Sequence, residues 1–314
     1  MLQGVIDSSE LPAEGGPMGI NDELRARNRA GTRIRLRTAA VLRSRPLTPR
    51  MHRITLAGPE LAGFEQAMLP ADSIKLALRP AGEPGPTVFK DGLFTDGVRP
   101  AFRVYSVRRF DPVTTELDLD LVLHDGGPGV EWVRSATPGD PVSFVGPRSE
   151  FVAAPDAQAQ LLVGDETAVP AVAAILESLP PGRPVRVVLA VPGPEYVLPL
   201  GHQGAAEVTW LEAGTPEALV KVVRELEVPA GVQAWVAAEA RVVRSIREVL
   251  RETVKPADLH AVGYWREGMT LTETDAAKLA IFDAAAKAGR PYEDHHDIDV
   301  ADLDEHLSTS SPGG

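Results

Sequence analysis

Pro141-Val142-Ser143-Phe144-Val145-Gly146-Pro147 divides the chain into two halves with different patterning. Upstream of it, short apolar-alternating runs fall at residues 34–42, 52–56, 73–78, 103–107, 117–123 and 141–145. Pro49, Gly58-Pro59, Pro80, Asp111-Pro112 and Pro138-Gly139-Asp140 separate them. Six short strands with turn punctuation predict an antiparallel six-stranded β-barrel. Downstream, strand-like runs at 160–163, 185–190, 207–211, 232–237 and 260–264 alternate with helical patterns at 167–179, 216–226 and 241–253. That alternation predicts a parallel, doubly wound sheet. The expected fold is therefore α+β and multidomain: an N-terminal barrel followed by an α/β nucleotide-binding domain.

The rest of the organisation follows. Residues 1–30 carry Gly15, Gly16, Pro17 and Gly19 before a charged run and read as a mobile leader ending in a helical turn. The barrel domain is expected over 31–150 and the α/β domain over 158–268. Residues 80–100, rich in Gly and Pro, read as one long loop. Over 269–314, Thr272 with Asp275 resembles a capping box, and Leu279, Phe282 and Ala286 form an apolar stripe. Gly289 and Pro291 end that helix, and an acidic, disordered tail is expected from about Asp294. His295-His296, between Asp294 and Asp297, has metal-ligand chemistry, but a solvated acidic tail is the preferred reading.

Composition narrows the function. The 314 residues are 44% apolar with a net charge of −12, which supports a real core and argues against a nucleic-acid partner. With no cysteine there is no disulfide, no cysteine-ligated cluster and no thiolate nucleophile. No run approaches the ~20 apolar residues of a membrane span, and no signal-peptide pattern is read. A cytoplasmic monomer is the expectation.

The chemistry concentrates in Arg103-Val104-Tyr105-Ser106-Val107-Arg108. On a strand, Arg103 and Tyr105 share one face, while Ser106 and Arg108 share the other. A guanidinium beside an aromatic ring suits a ligand with a phosphate and a flat ring, and serine offers a hydrogen bond to a ring nitrogen. An edge strand with two solvated arginines fits the spacing equally well. Gly126-Gly127-Pro128-Gly129 lets backbone amides approach an anion, though a plain turn has the same spelling. Gly164-Asp165-Glu166-Thr167 lies where a strand end meets a helix start, with Thr167 a candidate N-cap and Ala168 following.

Together these stretches resemble the siderophore-interacting proteins, a branch of the ferredoxin reductase-like flavoenzymes. The matching segments also include 47–56, Val122-Leu123-His124, Trp132, Pro138-Gly139-Asp140, Gly146-Pro147-Arg148 and Gly263-Tyr264-Trp265-Arg266, in family order. The resemblance implies FAD on the barrel, with Arg103 at the phosphates, Tyr105 on the isoalloxazine and Ser106 near its reactive nitrogen. His124, Gly127, Gly129 and Trp132 would line the pyrophosphate and adenine side. Asp165, Thr167 and Ala168 would face the flavin, and Glu239 the nicotinamide. Val130-Glu131 departs from the family, which carries a small hydroxyl residue there. The implied activity is electron transfer from NADH or NADPH to a ferric siderophore, with release of Fe(II) and no side-chain acid or base. Glu212, where relatives carry a basic residue, favours NADH. Lys75, Arg148 and Arg266 are the candidates for holding an anionic ferric chelate. Another acceptor (ferredoxin, a quinone or free flavin) and a redox-inactive binding protein are the alternatives.

Overall fold

The computed structural model describes residues 19–30, 36–64, 68–80, 83, 85–87, 89–90, 93–94, 97–124, 126–201, 206–212, 216–289 and 300–303. Six long strands close the predicted barrel: β1 (Arg37–Pro46), β2 (Met51–Ala57), β3 (Ser73–Leu78), β6 (Ala101–Asp111), β7 (Glu116–Val122) and β8 (Pro141–Arg148), in the order β1-β2-β7-β6-β3-β8. Every pairing is antiparallel. Inward-facing Ile54, Leu56, Leu76, Leu119 and Phe144 fill it, and the Phe64 ring meets Phe110 and Phe144 edge-on at 5.5 and 6.0 Å.

The second half is a five-stranded sheet, β9 (Ala159–Asp165), β10 (Val185–Val191), β11 (Ala206–Glu212), β12 (Val232–Glu239) and β13 (Leu259–Trp265), in the order β11-β10-β9-β12-β13. All four ladders are parallel. Burial on both faces explains the near-continuous apolar runs, such as β12, in which every residue is buried. Helix α3 (Val169–Ser178) covers one face, with Ile175, Leu162, Val187 and Trp235 in one apolar cluster; α4 (Pro216–Glu225) and α5 (Ala240–Leu250) cover the other. The order reverses between β9 and β12, so their C-terminal ends form the topological switch point.

Several expectations need correction. The helical turn expected at the end of the leader is an 11-residue helix, α1 (Ile20–Ala30). It buries Ile20 and Leu24, one turn apart, and Asn21 donates to Leu259 O at 2.9 Å and meets His260 Nδ1 at 2.7 Å. Asn28 adds a two-way bond to the Ser149 backbone. Within 80–100 there is a small ladder, β4 (Phe89–Lys90) with β5 (Leu93–Phe94). The glycines at 126–129 lead into helix α2 (Pro128–Ser135), with proline in the first turn, where no intrahelical amide partner is lost. Helix α6 (Leu271–Lys287) is capped from Thr270, not Thr272: Thr270 N and Oγ1 donate to Glu273 Oε2 at 2.7 and 2.8 Å, and Glu273 N returns to Thr270 Oγ1. Glutamate spans this box where Asp275 is one methylene shorter. The acidic tail is not wholly solvated, because Val300, Ala301 and Leu303 are buried in the core beside α5 and β13. His295 and His296 lie outside the described residues. Among the described residues, no helix is long and apolar enough to cross a membrane.

Candidate functional site

β6 carries its two faces to two different neighbours. Arg103 and Tyr105 point to the N-terminal turn of α2: a Cβ on Gly129 would lie 2.1 Å from the Tyr105 hydroxyl and 3.8 Å from Arg103 Cγ. Glycine is therefore dictated by close approach. Burial pushes the Tyr105 phenol up to about 12. The opposite face meets the α/β domain. Ser106 Oγ lies 3.2 Å from Tyr264 Oη at the end of β13, and Arg108 forms a bidentate pair with Glu177 of α3 at 2.5 and 2.9 Å.

The start of α2 has the attributes of an anion cradle. Its N-cap, Gly127, sits at φ 97° and offers no side-chain cap to the first-turn amides. His124 is exposed beside it, with Cε1 3.7 Å from where a Gly127 Cβ would stand. Next to this lies a cleft of about 400 Å³ lined by Pro49, Arg50, Leu123, His124 and Arg134. Val130 is buried and Glu131 is exposed to solvent. Trp132 packs against the barrel core.

At the switch point Asp165 is the organising residue. Its Oδ1 accepts from Thr167 N at 2.9 Å and Thr167 Oγ1 at 2.5 Å. Its Oδ2 accepts from Glu239 N at 2.9 Å and Trp265 Nε1 at 2.8 Å. Burial raises its pKa, opposed by these four donors. Glu239 caps α5 through Oε2 to Arg241 N and Val242 N, while Oε1 accepts from Glu267 N. Ala168 packs inward: its methyl would stand 2.3 Å from a Cβ on Gly164, which is why that position is glycine.

The three proposed substrate cations all have partners within the protein. Lys75 on β3 forms an ion pair with Asp275 of α6 at 3.0 Å and stacks over the Phe102 ring at 5.6 Å. Arg148 Nε faces Glu150 at 3.5 Å. Arg266 is buried, 7% exposed. Sequence reading missed Tyr264, the half-exposed Trp265 indole held by Asp165, and Arg50 and Arg134 in the cleft. Trp265 is an exposed aromatic at a strand end, a signal available in the sequence. Its link to Asp165 spans 100 residues, which no local pattern encodes.

Comparison with known proteins gives the same two halves. Residues 40–151 match the siderophore-interacting FAD-binding domain, and residues 157–268 match the siderophore-interacting protein profile. The ferric vibriobactin reductase of Vibrio cholerae is 28% identical over 253 residues, spanning 75% of this chain and 91% of that protein. The NADPH-dependent ferric-chelate reductase of Escherichia coli is 30% identical, spanning 78% of this chain and 99% of that protein. The crystal structure of a siderophore utilization protein from T. fusca superposes with a TM-score of 0.67 at 34% identity, over 76% of this chain and 95% of that one. With both domain profiles matched in order, the chain belongs to the siderophore-interacting protein family.

Proposed function

We propose that the chain is an oxidoreductase that uses FAD to pass electrons from a nicotinamide cofactor to a ferric siderophore, so that iron leaves as Fe(II). One observation carries this reading: the Arg103–Tyr105 face of β6 and the uncapped glycine turn of α2 form one cradle, a Cβ at Gly129 being excluded by Tyr105 itself. This cradle opens beside a cleft containing Arg50, His124 and Arg134. A guanidinium, free helix amides and a basic cleft fit a diphosphate; the adjoining Tyr105 phenol fits a flat heterocycle. Glu131, exposed, does not compromise the fit.

When bound, FAD would supply the conversion of a two-electron donor into one-electron steps at iron. The protein's part is binding and orientation. Arg103 and the α2 amides hold phosphate, Tyr105 fixes the ring, and Ser106 offers its hydroxyl to the ring edge. The nicotinamide is received at the switch point of the parallel sheet, where β9 and β12 end at Asp165 and Glu239. Glu212, exposed at the end of the outermost strand β11, is unsuited to a 2′-phosphate and favours NADH. Lys75 and Arg148, whose side chains reach solvent, supply positive charge for the chelate; Arg266, expected to join them, is buried and does not.

The purified protein is expected to carry flavin, or to take it up, with the corresponding visible absorbance. A colourless protein that does not bind added FAD contradicts the reading. Turnover is expected to be faster with NADH than with NADPH; the opposite preference contradicts the role given to Glu212.

A further inference from the structure

We propose that Tyr264 is a positioning residue that fixes the Ser106 hydroxyl as a hydrogen-bond donor toward the flavin, so that the α/β domain tunes the redox potential of a cofactor held by the barrel. The assignment rests on the flavin reading above. The two hydroxyls meet across the domain boundary at 3.2 Å. Ser106 is 8% exposed, and Tyr264 is braced by the Trp235 ring, edge-on at 6.1 Å, itself tied to Glu150 O through its indole at 3.0 Å.

The polarity of this bond can be argued. A phenol donates a hydrogen bond more readily than an alkyl alcohol and accepts one less readily, because its lone pair is delocalised into the ring. Burial first, then the nearby Glu150 carboxylate, raises the Tyr264 pKa, so the phenol keeps its proton. Among the described residues the Tyr264 hydroxyl has no other hydrogen-bond partner. If Ser106 donated, the Tyr264 proton would be left without an acceptor in a poorly hydrated place, which is unfavourable. Tyr264 is therefore the donor, Ser106 accepts, and the Ser106 proton is turned away from Tyr264 as a donor.

That bias has a sign. An oxidised flavin presents a ring nitrogen that accepts a hydrogen bond. After gaining a hydride (two electrons and one proton) the same nitrogen carries N–H and donates. A Ser106 held as donor complements the oxidised ring and opposes the reduced one, which lowers the midpoint potential. Removing the Tyr264 hydroxyl releases Ser106 to turn and accept.

The test is the flavin midpoint potential of the full-length, FAD-loaded protein, measured by equilibration with reference dyes. Tyr264→Phe is expected to shift the potential upward, with FAD affinity unchanged within about threefold, less than 1 kcal/mol. In a Ser106→Ala background the same substitution is expected to produce no shift. A potential indifferent to Tyr264→Phe, or an equal shift in both backgrounds, overturns the assignment. Should Tyr264→Phe not fold, 3-fluorotyrosine placed at position 264 keeps the shape and strengthens the donor. A downward shift is then expected, and an unchanged or raised potential overturns the assignment. A protein that takes up no FAD overturns the flavin reading and this inference with it, whereas a flavin-loaded protein whose potential ignores position 264 overturns this inference alone.

Discussion

Gly129 stands where two segments of the barrel domain meet, and its missing side chain is what lets Tyr105 reach the α2 turn. A methyl there would meet the Tyr105 hydroxyl at 2.1 Å but the ring carbon bearing it at 3.5 Å, an ordinary contact. Gly129→Ala is therefore expected to displace Tyr105 and weaken FAD binding by about tenfold or more, in line with an overpacking cost of ~1–3 kcal/mol. Adding Tyr105→Phe should restore most of that loss. Titration followed by flavin fluorescence checks both; a double variant as weak as the single would contradict the steric cause. A second single-residue case is Asp72, which is fully buried beside β3, with one oxygen accepting from Leu69 N at 2.7 Å. Burial pushes its carboxyl up to about 8. The folded state then keeps a proton that the unfolded chain loses near 3.8, so stability falls as pH rises from about 4 to about 8. Thermal melts should show Asp72→Asn gaining on the wild type across that window, by on the order of a few kcal/mol above it; a difference independent of pH would contradict this. The placement of Arg103, Tyr105 and Ser106 on one strand was legible from its alternation. The burial of Asp72 was not, since an aspartate before a strand is spelled the same whether solvated or enclosed.

At the scale of elements, the strands were readable within a few residues because buried parallel strands and barrel strands leave strong apolar patterns. The elements missed were those whose burial is local and brief. Helix α1 contributes two apolar residues to the interior, and the turn at Val300–Asp302 sets Val300 and Ala301, with the following Leu303, into the core from within an acidic run. Helix α6 is the element with the clearest functional consequence. Its Asp275 neutralises Lys75, one of the cations assigned to the ferric chelate. A half-exposed pair of this kind contributes about 0.2–1 kcal/mol, so it competes with an anionic substrate without excluding it. Asp275→Asn is expected to lower the apparent KM for an anionic ferric chelate about two- to fivefold, and Lys75→Ala to raise it, both with kcat little changed. Steady-state kinetics at low ionic strength would reveal this. A KM indifferent to both substitutions would remove Lys75 from the substrate site.

At the scale of the whole molecule, the two domains share one packed unit. Met51 and Ala71 from the barrel and Phe151 from the connecting segment join α3, Leu162 and Trp235 in a single apolar cluster. Arg108–Glu177, Arg50–Glu166 and Ser106–Tyr264 cross the same boundary. None of these contacts was readable in advance, because each joins residues far apart in sequence; what the sequence carried was the existence of both domains and their order. β6 thus carries the proposed flavin cradle on one face and meets the parallel sheet with the other, and the central claim is that electrons pass through this unit from nicotinamide to iron. The most direct test is an anaerobic titration of the FAD-loaded protein followed by its visible spectrum. NADH is expected to bleach the flavin bands, and a ferric siderophore added next to restore them while a ferrous chelator reports Fe(II), two irons for each flavin reoxidised. Flavin that binds but is not bleached by NADH or NADPH, or that stays reduced in the presence of the ferric siderophore, would contradict the account.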